Sequence, residues 1–396
     1  MTARPPLDDV RIVDLSRVLA GPYCTMMLAD LGADVVKVER PGDGDETRTW
    51  GPPFAGGEAA YYLSVNRTKR SIAIDLKHTD GRALVLELCA RADVVVENFR
   101  SGGAERLGID AETVGARNPG VVYCSITGFG RREPRDRPGY DFIAQAESGL
   151  MAVTGEPGGT PTKVGVALVD VLTGLHAAVA IVGALRRRDA TGVGDRIEVS
   201  LLDSAFSSLA NVAQNALVTG QEPRRYGNAH ASIVPYQPFR TTDGWVAVAA
   251  ANDRLFARLC EVLGLSELAS DERFATNAAR VRNRTTLLPL LEEAFAGRSA
   301  AEWATALEDA GVPAGKIRGV LEALRSAASA TVRVMHPTAG ELELVAPPFA
   351  LEPGWLRSPE APPLLGQHTR EVLRELGLDE RRIAELEEQG VIESAA

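Results

Sequence analysis

The first 200 residues alternate short, β-branched segments with stretches whose apolar residues recur at helical spacing. The strand-like segments read RIVDL, DVVKVER, RSIAIDL, ADVVVEN and GVVYCSITG, and helix-like stretches such as GPYCTMMLADLGA lie between them. Strands that alternate with helices are typical of βαβ units, in which helices cover both faces of a parallel sheet. We therefore predict an α/β fold with a Rossmann-like large domain, whose ligands bind at the carboxyl ends of the strands.

The motifs of several nucleotide- and metal-dependent classes are missing from the sequence. No GxGxxG follows the first strand, and residues 128–130 read Gly-Phe-Gly but continue with two arginines and a glutamate, which disfavours a dinucleotide oxidoreductase. No P-loop motif occurs. The four cysteines and five histidines show no metal-ligand spacing, so we expect no metal. A net charge of -10 argues against a nucleic-acid partner.

The cellular compartment is inferred from the distribution of apolar residues. We find no apolar run of the length needed to span a bilayer, and no secretory signal in the opening MTARPPLDDVRIVDL. These observations predict a cytoplasmic protein without a membrane partner.

The chain changes character near residue 220. Before it, residues 171–188 predict a long apolar helix whose three final arginines suit its negative C-terminus. The turn-rich segment TGQEPRRYGNAHASIVPYQPF predicts a linker, after which a strand, helices to about residue 312 and a short strand predict a smaller unit. The tail, residues 358–392, predicts a proline-rich crossing followed by two short helices.

Lysine is scarce, yet Lys37, Lys69 and Lys77 all fall in one early stretch. Two interpretations stay open. The three side chains are either solvated, as most lysines are, or they form a phosphate-binding rim near the N-terminus.

Seven segments together resemble the family III CoA-transferases, also called the CaiB/BaiF family. They are residues 15–48, 66–77 (NRTKRSIAIDLK), 92–108 (ADVVVENFRSGGAERLG), 125–130 (SITGFG), 137–155, 161–178 (PTKVGVALVDVLTGLHAA) and 363–377 (PLLGQHTREVLRELG). They run nearly end to end in a consistent order and spacing. The resemblance implies a CoA-transferase that uses coenzyme A and acyl-CoA as substrates, a small carboxylic acid as acceptor and no permanently bound cofactor.

Asp170 is the residue to which this resemblance assigns the catalytic role. It lies in VGVALVDVLTG, directly before the predicted helix. From the sequence alone two compatible interpretations remain: a helix N-cap that accepts from free backbone N–H groups, and a nucleophile kept anionic by the helix N-terminus. Because the family's catalytic aspartate matches this position, we expect Asp170 to be the nucleophile.

The family's mechanism would then proceed through two covalent intermediates. The Asp170 carboxylate attacks the donor thioester, which gives a mixed anhydride and CoA thiolate, and the thiolate attacks the aspartyl carbonyl to give an aspartyl-CoA thioester. The acceptor acid reverses the sequence. Both intermediates are activated, so no ATP, metal or redox cofactor is required. The site must stabilise an oxyanion and exclude water, and backbone N–H groups near residues 20–22 are candidates for the first task.

Two departures from formyl-CoA transferase bear on the acid substrate. Leu19 stands where that enzyme has a glutamine, and a leucine cannot hydrogen-bond an oxyanion. From Gly227 the chain reads GNAHASIVPYQPF in place of a glycine-rich loop. We therefore expect longer or branched acids, such as dicarboxylates, rather than formate and oxalate.

The resemblance also implies two sets of binding residues. Arginine and lysine suit the phosphates of CoA, and Phe99 would flank its adenine or pantetheine. The predicted CoA contacts are Arg40, Lys77, Asn98, Phe99 and Arg106, and the predicted acyl pocket comprises Leu19, Ala20, Gly21, Tyr61 and Tyr140. For each tyrosine, a buried side chain with a satisfied hydroxyl is the alternative.

Two other functions stay open. An α-methylacyl-CoA racemase of the same superfamily would use the histidine of a Gly-His-Asp segment, where this chain has Gly139-Tyr140-Asp141. A tyrosine is a poor base at neutral pH, and His176 is the candidate substitute. A non-catalytic CoA-binding protein would gain nothing from Asp170 in apolar surroundings, because an idle buried carboxylate costs stability.

The resemblance finally implies a homodimer of two ring-shaped, interlocked chains. On that plan the large CoA-binding domain spans residues 1–200, completed by 330–396, and a small α/β domain spans 225–325. Residues 201–224 and 326–365 are the outgoing and returning linkers.

Overall fold

The computed structural model describes residues 4–130, 137–349 and 355–395. The chain divides into two compact units. Unit 1 comprises Met1–Leu150, Val164–Val218 and Ser329–Ala396, and unit 2 comprises Met151–Lys163 and Thr219–Ala328.

The elements of the described residues are numbered in chain order. The strands are β1 Arg11–Asp14, β2 Asp34–Glu39, β3 Phe54–Ala55, β4 Glu58–Ala59, β5 Lys69–Ile74, β6 Val94–Glu97, β7 Val122–Thr127, β8 Asp195–Ser200, β9 Tyr236–Arg240, β10 Trp245–Ala249, β11 Ala314–Lys316, β12 Thr331–His336, β13 Gly340–Val345 and β14 Ile392–Glu393.

The helices follow the same numbering. They are α1 Ala20–Asp30, α2 Ala60–Leu63, α3 Thr79–Ala90, α4 Gly103–Leu107, α5 Ala111–Arg117, α6 Asp141–Glu147, α7 Leu150–Val153, α8 Leu168–Thr191, α9 Leu201–Ser208, α10 Ala210–Thr219, α11 Asp253–Leu263, α12 Asn277–Arg282, α13 Arg284–Phe295, α14 Ala300–Asp309, α15 Val320–Ser326, α16 Thr369–Glu375 and α17 Glu380–Glu388, with 3-10 helices at Glu46–Thr49 and Ser266–Ala269.

Unit 1 is built on a seven-stranded sheet with the order β14-β5-β2-β1-β6-β7-β8. Every pairing is parallel except that of β14, which runs antiparallel to β5 at the edge. Counted among themselves, the six parallel strands follow the doubly wound order 3-2-1-4-5-6. The predicted α/β fold with a mostly parallel sheet is confirmed. In this order the connections reverse direction between β1 and β6, where ligands of such folds bind.

Apolar layers cover both faces of this sheet. Successive strand residues point to opposite faces, so Ile12 lies in one buried cluster and Val13 in the other. The first cluster includes α1 and α8, and the second includes α3, α16 and α17. These strands are hydrophobic on both faces for this reason, as expected of a covered parallel sheet.

The helix α8 is longer than the sequence indicated, since it covers Leu168–Thr191 rather than 171–188. Among the described residues, α8 is the one helix that is long and apolar enough to cross a membrane, as judged by length and composition only. The expectation that no segment would meet these criteria was wrong. A buried core helix meets the same criteria, and α8 contributes Ala177, Ile181 and Leu185 to the core of unit 1.

Unit 2 has its own core around a three-stranded antiparallel sheet, β11-β10-β9. Phe239 stacks on Phe295 at 4.5 Å between ring centroids, and Phe295 meets the edge of Trp303. The fully buried Arg280 closes this core by donating to the carbonyls of Val234 and Phe274 and to Asp253.

The segments predicted as linkers contain regular structure. Residues 201–224 hold α9 and α10, which belong to unit 1 as far as Val218, and residues 326–365 hold the β12–β13 hairpin. Residues 350–354 of the second segment lie outside the described part of the chain. Residues 151–163, by contrast, belong to unit 2, and no pattern in the sequence predicts this.

Candidate active site

The loop from Leu15 to Leu19 follows the carboxyl end of β1, where the connections after β1 and β6 leave the sheet in opposite directions. Ser16 donates both its N–H and its hydroxyl to the Asp14 carboxylate. The side-chain amide of Asn98 pairs with Arg17 in both directions, accepting from its N–H at 2.9 Å and donating to its carbonyl at 2.7 Å. Side chains thus hold the backbone of this loop before the helix α1 begins.

Val18, within this loop, adopts a left-handed backbone conformation with φ of 68°. A β-branched residue is strained in this region, so other contacts must hold it there. Its N–H points at the buried carboxylate of Asp45, 3.3 Å from each oxygen. Asp45 in turn forms an ion pair with Lys37 at 2.9 Å, and Lys37 donates to the Ser16 carbonyl at 2.8 Å.

A second buried ion pair lies beside the first. Lys69 contacts Asp14 at 3.2 Å and donates to the carbonyl of Pro22 in α1. Burial alone would raise the pKa of Asp14, but the charges of Lys69 and Lys37 hold that pKa at about 2. Burial lowers the pKa of Lys69 to about 8, against the opposing pull of Asp14.

These pairs correct the sequence interpretation of the lysines. Lys37 and Lys69 are fully buried, so they neither extend into solvent nor form a phosphate-binding rim. Both stand on strands of a sheet covered on both faces, where an ammonium group is retained only by partners such as Asp14 and Asp45. Lys77 is exposed.

The helix α1 begins at Ala20 without a side-chain cap. The N-cap residue is Leu19, whose side chain has no hydrogen-bonding group. The N–H groups of the first turn of a helix have no partner within the helix, and Pro22 offers none. The first turn of α1 therefore presents backbone donors at Ala20 and Gly21.

Asp170 lies in the first turn of α8, three positions after the N-cap residue. The prediction that Asp170 is itself the N-cap was wrong, since Ala167 occupies that position without a side-chain bond. The capping carboxylate is Asp141, at the start of α6, which accepts from the N–H of Val169 at 2.8 Å. Gln145 fixes Asp141 by donating to it at 2.6 Å.

The electrostatic surroundings of Asp170 are unusual for a carboxylate. Burial, followed by the negative charge of Asp141, raises the pKa of Asp170 to about 7. Among the residues that the structure describes, no cationic group contributes to the pKa of Asp170. An unpaired carboxylate with a raised pKa in a cavity is a candidate for chemistry rather than for stability.

Close packing between two helices sets the place of α8. A side chain at Gly174, one turn after Asp170, would come within 2.6 Å of the Ala20 carbonyl and 3.3 Å of the Cys24 nitrogen. Only glycine allows α8 to approach the first turn of α1 this closely. Asp170 and Gly174 share one face of α8, so this contact brings Asp170 towards the uncapped end of α1.

A cavity of about 530 Å³ in unit 1 opens at this point. Asp170, Leu19, Ala20 and Tyr140 line one part of it, and the segment that follows β6 lines another. Four arginines also line the cavity: Arg17, Arg100, Arg137 and Arg196. Five acidic residues line it as well: Glu46, Glu97, Glu105, Asp110 and Asp170. The arginines can therefore bind anionic groups of a ligand locally, while the lining as a whole carries no excess of positive charge.

Comparison with known proteins identifies the family. The model of CoA-transferase family III matches residues 7–369. The chain belongs to CoA-transferase family III.

Named relatives of this transferase cover nearly its whole length. It is 44% identical to the succinyl-CoA:glutarate CoA-transferase of Homo sapiens, over 98% of this chain and 90% of the human protein. It is 43% identical to the succinate--glutarate CoA-transferase of Agrobacterium fabrum, over 96% of this chain and 97% of the relative. A crystal structure of a CaiB/BaiF family protein from Brucella suis matches with a TM-score of 0.85 and 43% identity, over 94% and 100% of the two chains.

The cavity of the transferase brings together six of the residues predicted from sequence. They are Asp170, Leu19, Ala20, Tyr140, Asn98 and Phe99. Tyr61 is not among the lining residues, but burial and then the charges of Asp170, Asp141 and Asp45 raise its pKa to about 12. Tyr61 therefore lies within electrostatic range of Asp170, with its ring against the edge of Trp50.

Four further predicted residues lie outside the cavity lining. Gly21 has a packing role instead, because a side chain there would overlap the Ser16 hydroxyl at 2.2 Å. Arg40 is ion-paired with Asp43, and Lys77 is exposed. The Arg106 guanidinium lies beside Gly102, 3.5 Å from the Ser101 carbonyl.

Sequence reasoning missed several site residues of the transferase. Asp141 and Asp45 act on backbone groups 28 and 27 residues away, so no local pattern marks them. The four lining arginines resemble surface arginines in the sequence. Within the described residues, no group of three or more His, Cys, Asp or Glu is placed to hold a metal ion.

Proposed function

We propose that this transferase moves CoA from an acyl-CoA thioester to a carboxylic acid through covalent intermediates on Asp170. The observation that carries the proposal is the position of Asp170, whose carboxylate lines a cavity of about 530 Å³ beside the uncapped N-terminus of α1. A carboxylate that is not held by a cation can attack an electrophilic carbonyl, and the free N–H groups of a helix N-terminus can stabilise the oxyanion that forms.

The donor half-reaction has two steps. The Asp170 carboxylate attacks the thioester carbonyl carbon, the C–S bond breaks, and CoA leaves as the thiolate from a mixed anhydride. The thiolate then attacks the aspartyl carbonyl of the anhydride, the C–O bond breaks, and the donor acid leaves as its carboxylate. The product is an aspartyl-CoA thioester.

The acceptor half-reaction runs the same steps in reverse. The acceptor carboxylate attacks the aspartyl thioester and expels the thiolate, which then attacks the acceptor carbonyl of the new anhydride. Asp170 returns as a free carboxylate, and no proton, water or electron is consumed. Water must be kept out, because both intermediates hydrolyse.

The negative charge that develops on the carbonyl oxygens needs hydrogen-bond donors. The N–H group of Ala20, in the first turn of α1, is suited to this role, since it is uncapped, lies at the positive end of a helix dipole and belongs to a residue that lines the cavity. Leu19 contributes its backbone position rather than its side chain.

The acid substrates that we propose are dicarboxylates of the succinate and glutarate class. The human and Agrobacterium relatives carry these acids in their names, and Leu19 removes the side-chain donor that formyl-CoA transferase has at this position. The arginines of the cavity supply positive charge for a second carboxylate and for the phosphates of CoA. Arg40, Lys77, Asn98, Phe99 and Arg106 remain the proposed CoA contacts.

We further propose that the transferase works in the cytoplasm as an interlocked homodimer, with a large and a small domain as predicted from the sequence, except that residues 151–163 belong with the small domain. The outward faces of α8 and α10 support a dimer, because Val179 and Leu217 are 72% and 79% exposed in the single chain. Exposed apolar side chains are typical of a surface that a second copy covers.

The proposal is tested by intact-mass spectrometry of the protein mixed with succinyl-CoA, followed by trapping with hydroxylamine and peptide mapping. A hydroxamate localised to Asp170, and absent from Asp170→Ala, is the expected result. Asp203→Asn is the matched control, since Asp203 occupies the same helical position in α9, is exposed and does not line the cavity. The control should form the adduct as the wild type does.

The absence of an adduct with succinyl-, glutaryl- and acetyl-CoA would overturn the transferase mechanism. Exchange of the α-proton in deuterated water would then identify a racemase. His176, the candidate base for that reaction, contacts Ser204 at 3.0 Å and does not line the cavity, so we expect no exchange.

A further inference from the structure

The loop between β1 and α1 is held in a conformation that its own sequence disfavours. Val18 is left-handed, which for a β-branched residue is among the least favourable backbone conformations. The next two residues, Leu19 and Ala20, line the cavity with Asp170. The direction of the first-turn N–H groups of α1 therefore depends on whatever keeps Val18 in place.

The contacts that restrain this loop come from two separate parts of the chain. Asp45 accepts from the Val18 N–H, and Lys37 donates to the Ser16 carbonyl. The Asn98 amide, which follows β6, binds both backbone groups of Arg17. The backbone of three consecutive residues is thus held by side chains.

Asp45 is a buried carboxylate that is satisfied by several hydrogen-bond donors. It is 1% exposed, and a buried carboxylate is tolerated only when its oxygens are satisfied. Lys37, the N–H and hydroxyl of Thr47, and the N–H of Val18 all donate to it. The donors from Lys37 and Thr47 already satisfy the carboxylate of Asp45 and cap the 3-10 helix Glu46–Thr49. The bond from Val18 is therefore the contact that connects Asp45 to the loop beside the cavity.

We propose that Asp45, together with Lys37 and Asn98, is a positioning residue for catalysis: it keeps Val18 left-handed so that the N–H group of Ala20 faces the carbonyl that Asp170 attacks. None of the three residues touches the reacting atoms in this role. The inference rests on the proposed function, because it assigns the cause of the oxyanion geometry in that mechanism.

The rival explanation is that Asp45 and Lys37 merely stabilise the fold. Another buried ion pair of unit 1 provides a matched control. Asp30, at the other end of α1, is also fully buried and accepts from two nitrogens of Arg67, but it makes no contact with the loop. Asp30→Asn should therefore reproduce the loss of a buried charge without disturbing Val18.

The test compares Asp45→Asn, Asp30→Asn, Val18→Gly and the double variant Val18→Gly/Asp45→Asn. Turnover with succinyl-CoA and glutarate is measured at pH 9, where Asp170 is ionised, together with the thermal unfolding of each variant. In Asp45→Asn the new amide faces the Lys37 ammonium, and we expect kcat to fall about 10- to 100-fold with the KM for succinyl-CoA changed less than about threefold. Asp30→Asn should lose thermal stability and keep its kcat.

Glycine adopts the left-handed conformation without strain, so Val18→Gly removes the need for the restraint. We expect the double variant to recover at least about tenfold in kcat over Asp45→Asn. Equal kcat for Asp45→Asn and the wild type, or no recovery in the double variant, would overturn the inference. A failure of Asp170 to form the adduct would instead overturn the proposed function. The adduct experiment and the kinetic comparison therefore distinguish a failure of the proposed function from a failure of this inference.

Asn98→Asp tests the contact between residue 98 and the backbone of Arg17. It provides a second test of the inference if Asp45→Asn does not fold. The aspartate keeps the acceptor for the Arg17 N–H and loses the donor to its carbonyl. A lower kcat with an unchanged KM for succinyl-CoA supports positioning. A raised KM with an unchanged kcat would show that Asn98 acts on CoA alone.

Discussion

The carboxylate of Asp141 caps the helix that carries Asp170, accepting from the Val169 N–H at 2.8 Å and lying 3.4 Å from the N–H of Asp170 itself. Asp141 thus caps the helix, and Asp170 lies in the first turn beside a carboxylate of the same charge. The helix N-terminus stabilises an anion, but Asp141 has already taken that position. Burial is the larger cause of the raised pKa of Asp170, and the negative charge of Asp141 at the helix N-terminus adds to it.

The activity should depend on pH through Asp170. Its pKa of about 7 lies above the usual value of 3.8, so the nucleophilic carboxylate forms only as the pH rises through 7. We expect kcat/KM for succinyl-CoA to fall about tenfold for each pH unit below 7 and to level off above 8. A profile that is flat from pH 5 to 8 would contradict this assignment.

The same pKa predicts an effect on stability. A carboxyl whose folded pKa is raised stabilises the fold below its unfolded pKa and loses that contribution as the pH rises through its folded pKa. Asp170→Asn removes the buried charge, so its gain in melting temperature over the wild type should be larger at pH 8 than at pH 5. Calorimetry at the two pH values measures this difference, and a gain that is the same at both would count against it.

Asp141 can be tested without breaking its cap. Asp141→Asn keeps an oxygen that accepts from Val169 and removes the charge that acts on Asp170. The acid limb of the activity profile should therefore move to lower pH. Asp141→Ala also removes the cap and should cost about 1 kcal/mol in the free energy of unfolding. Denaturant unfolding of the two variants separates the charge from the cap.

The contact between α8 and α1 predicts opposite effects for two glycines of one helix. Gly174→Ala would place a carbon 2.6 Å from the Ala20 carbonyl, so we expect a loss of about 1–3 kcal/mol in unfolding free energy and a lower kcat. Gly183 has open space around its Cα in the single chain, and Gly183→Ala should stabilise by roughly 0.5–1 kcal/mol. Similar stability for both variants would contradict the packing argument.

The buried pair of Lys69 and Asp14 should be strongly coupled. Lys69→Met leaves Asp14 buried without its nearest cation, which should cost about 3–5 kcal/mol. Adding Asp14→Asn removes the uncompensated charge, so the double variant should be more stable than Lys69→Met alone. A double-mutant cycle by urea unfolding measures the coupling, and additive losses would show that the two side chains act independently.

The sequence predicted the sheet because strand and helix periodicities are local, and it predicted Asp170 because a series of segments resembled a family. It could not predict the surroundings of Asp170. The cap from Asp141 and the bond from Val18 to Asp45 join residues far apart in the chain, and no spacing rule marks them. Lys37 and Lys69 were misread for the same reason, since a buried lysine differs from a surface one only in partners that the fold supplies.

The strand order has a consequence for how such enzymes diversify. A crevice lies at the carboxyl ends of β1 and β6 because the connections that follow these two strands leave the sheet in opposite directions. Its existence does not depend on the side chains that line it. Replacing Leu19, Tyr140 or a lining arginine therefore changes the surface of the cavity and leaves the sheet that forms the cavity intact. A preference for a different acid can arise by a single substitution in the cavity lining, because the core contacts that fold the chain are not affected.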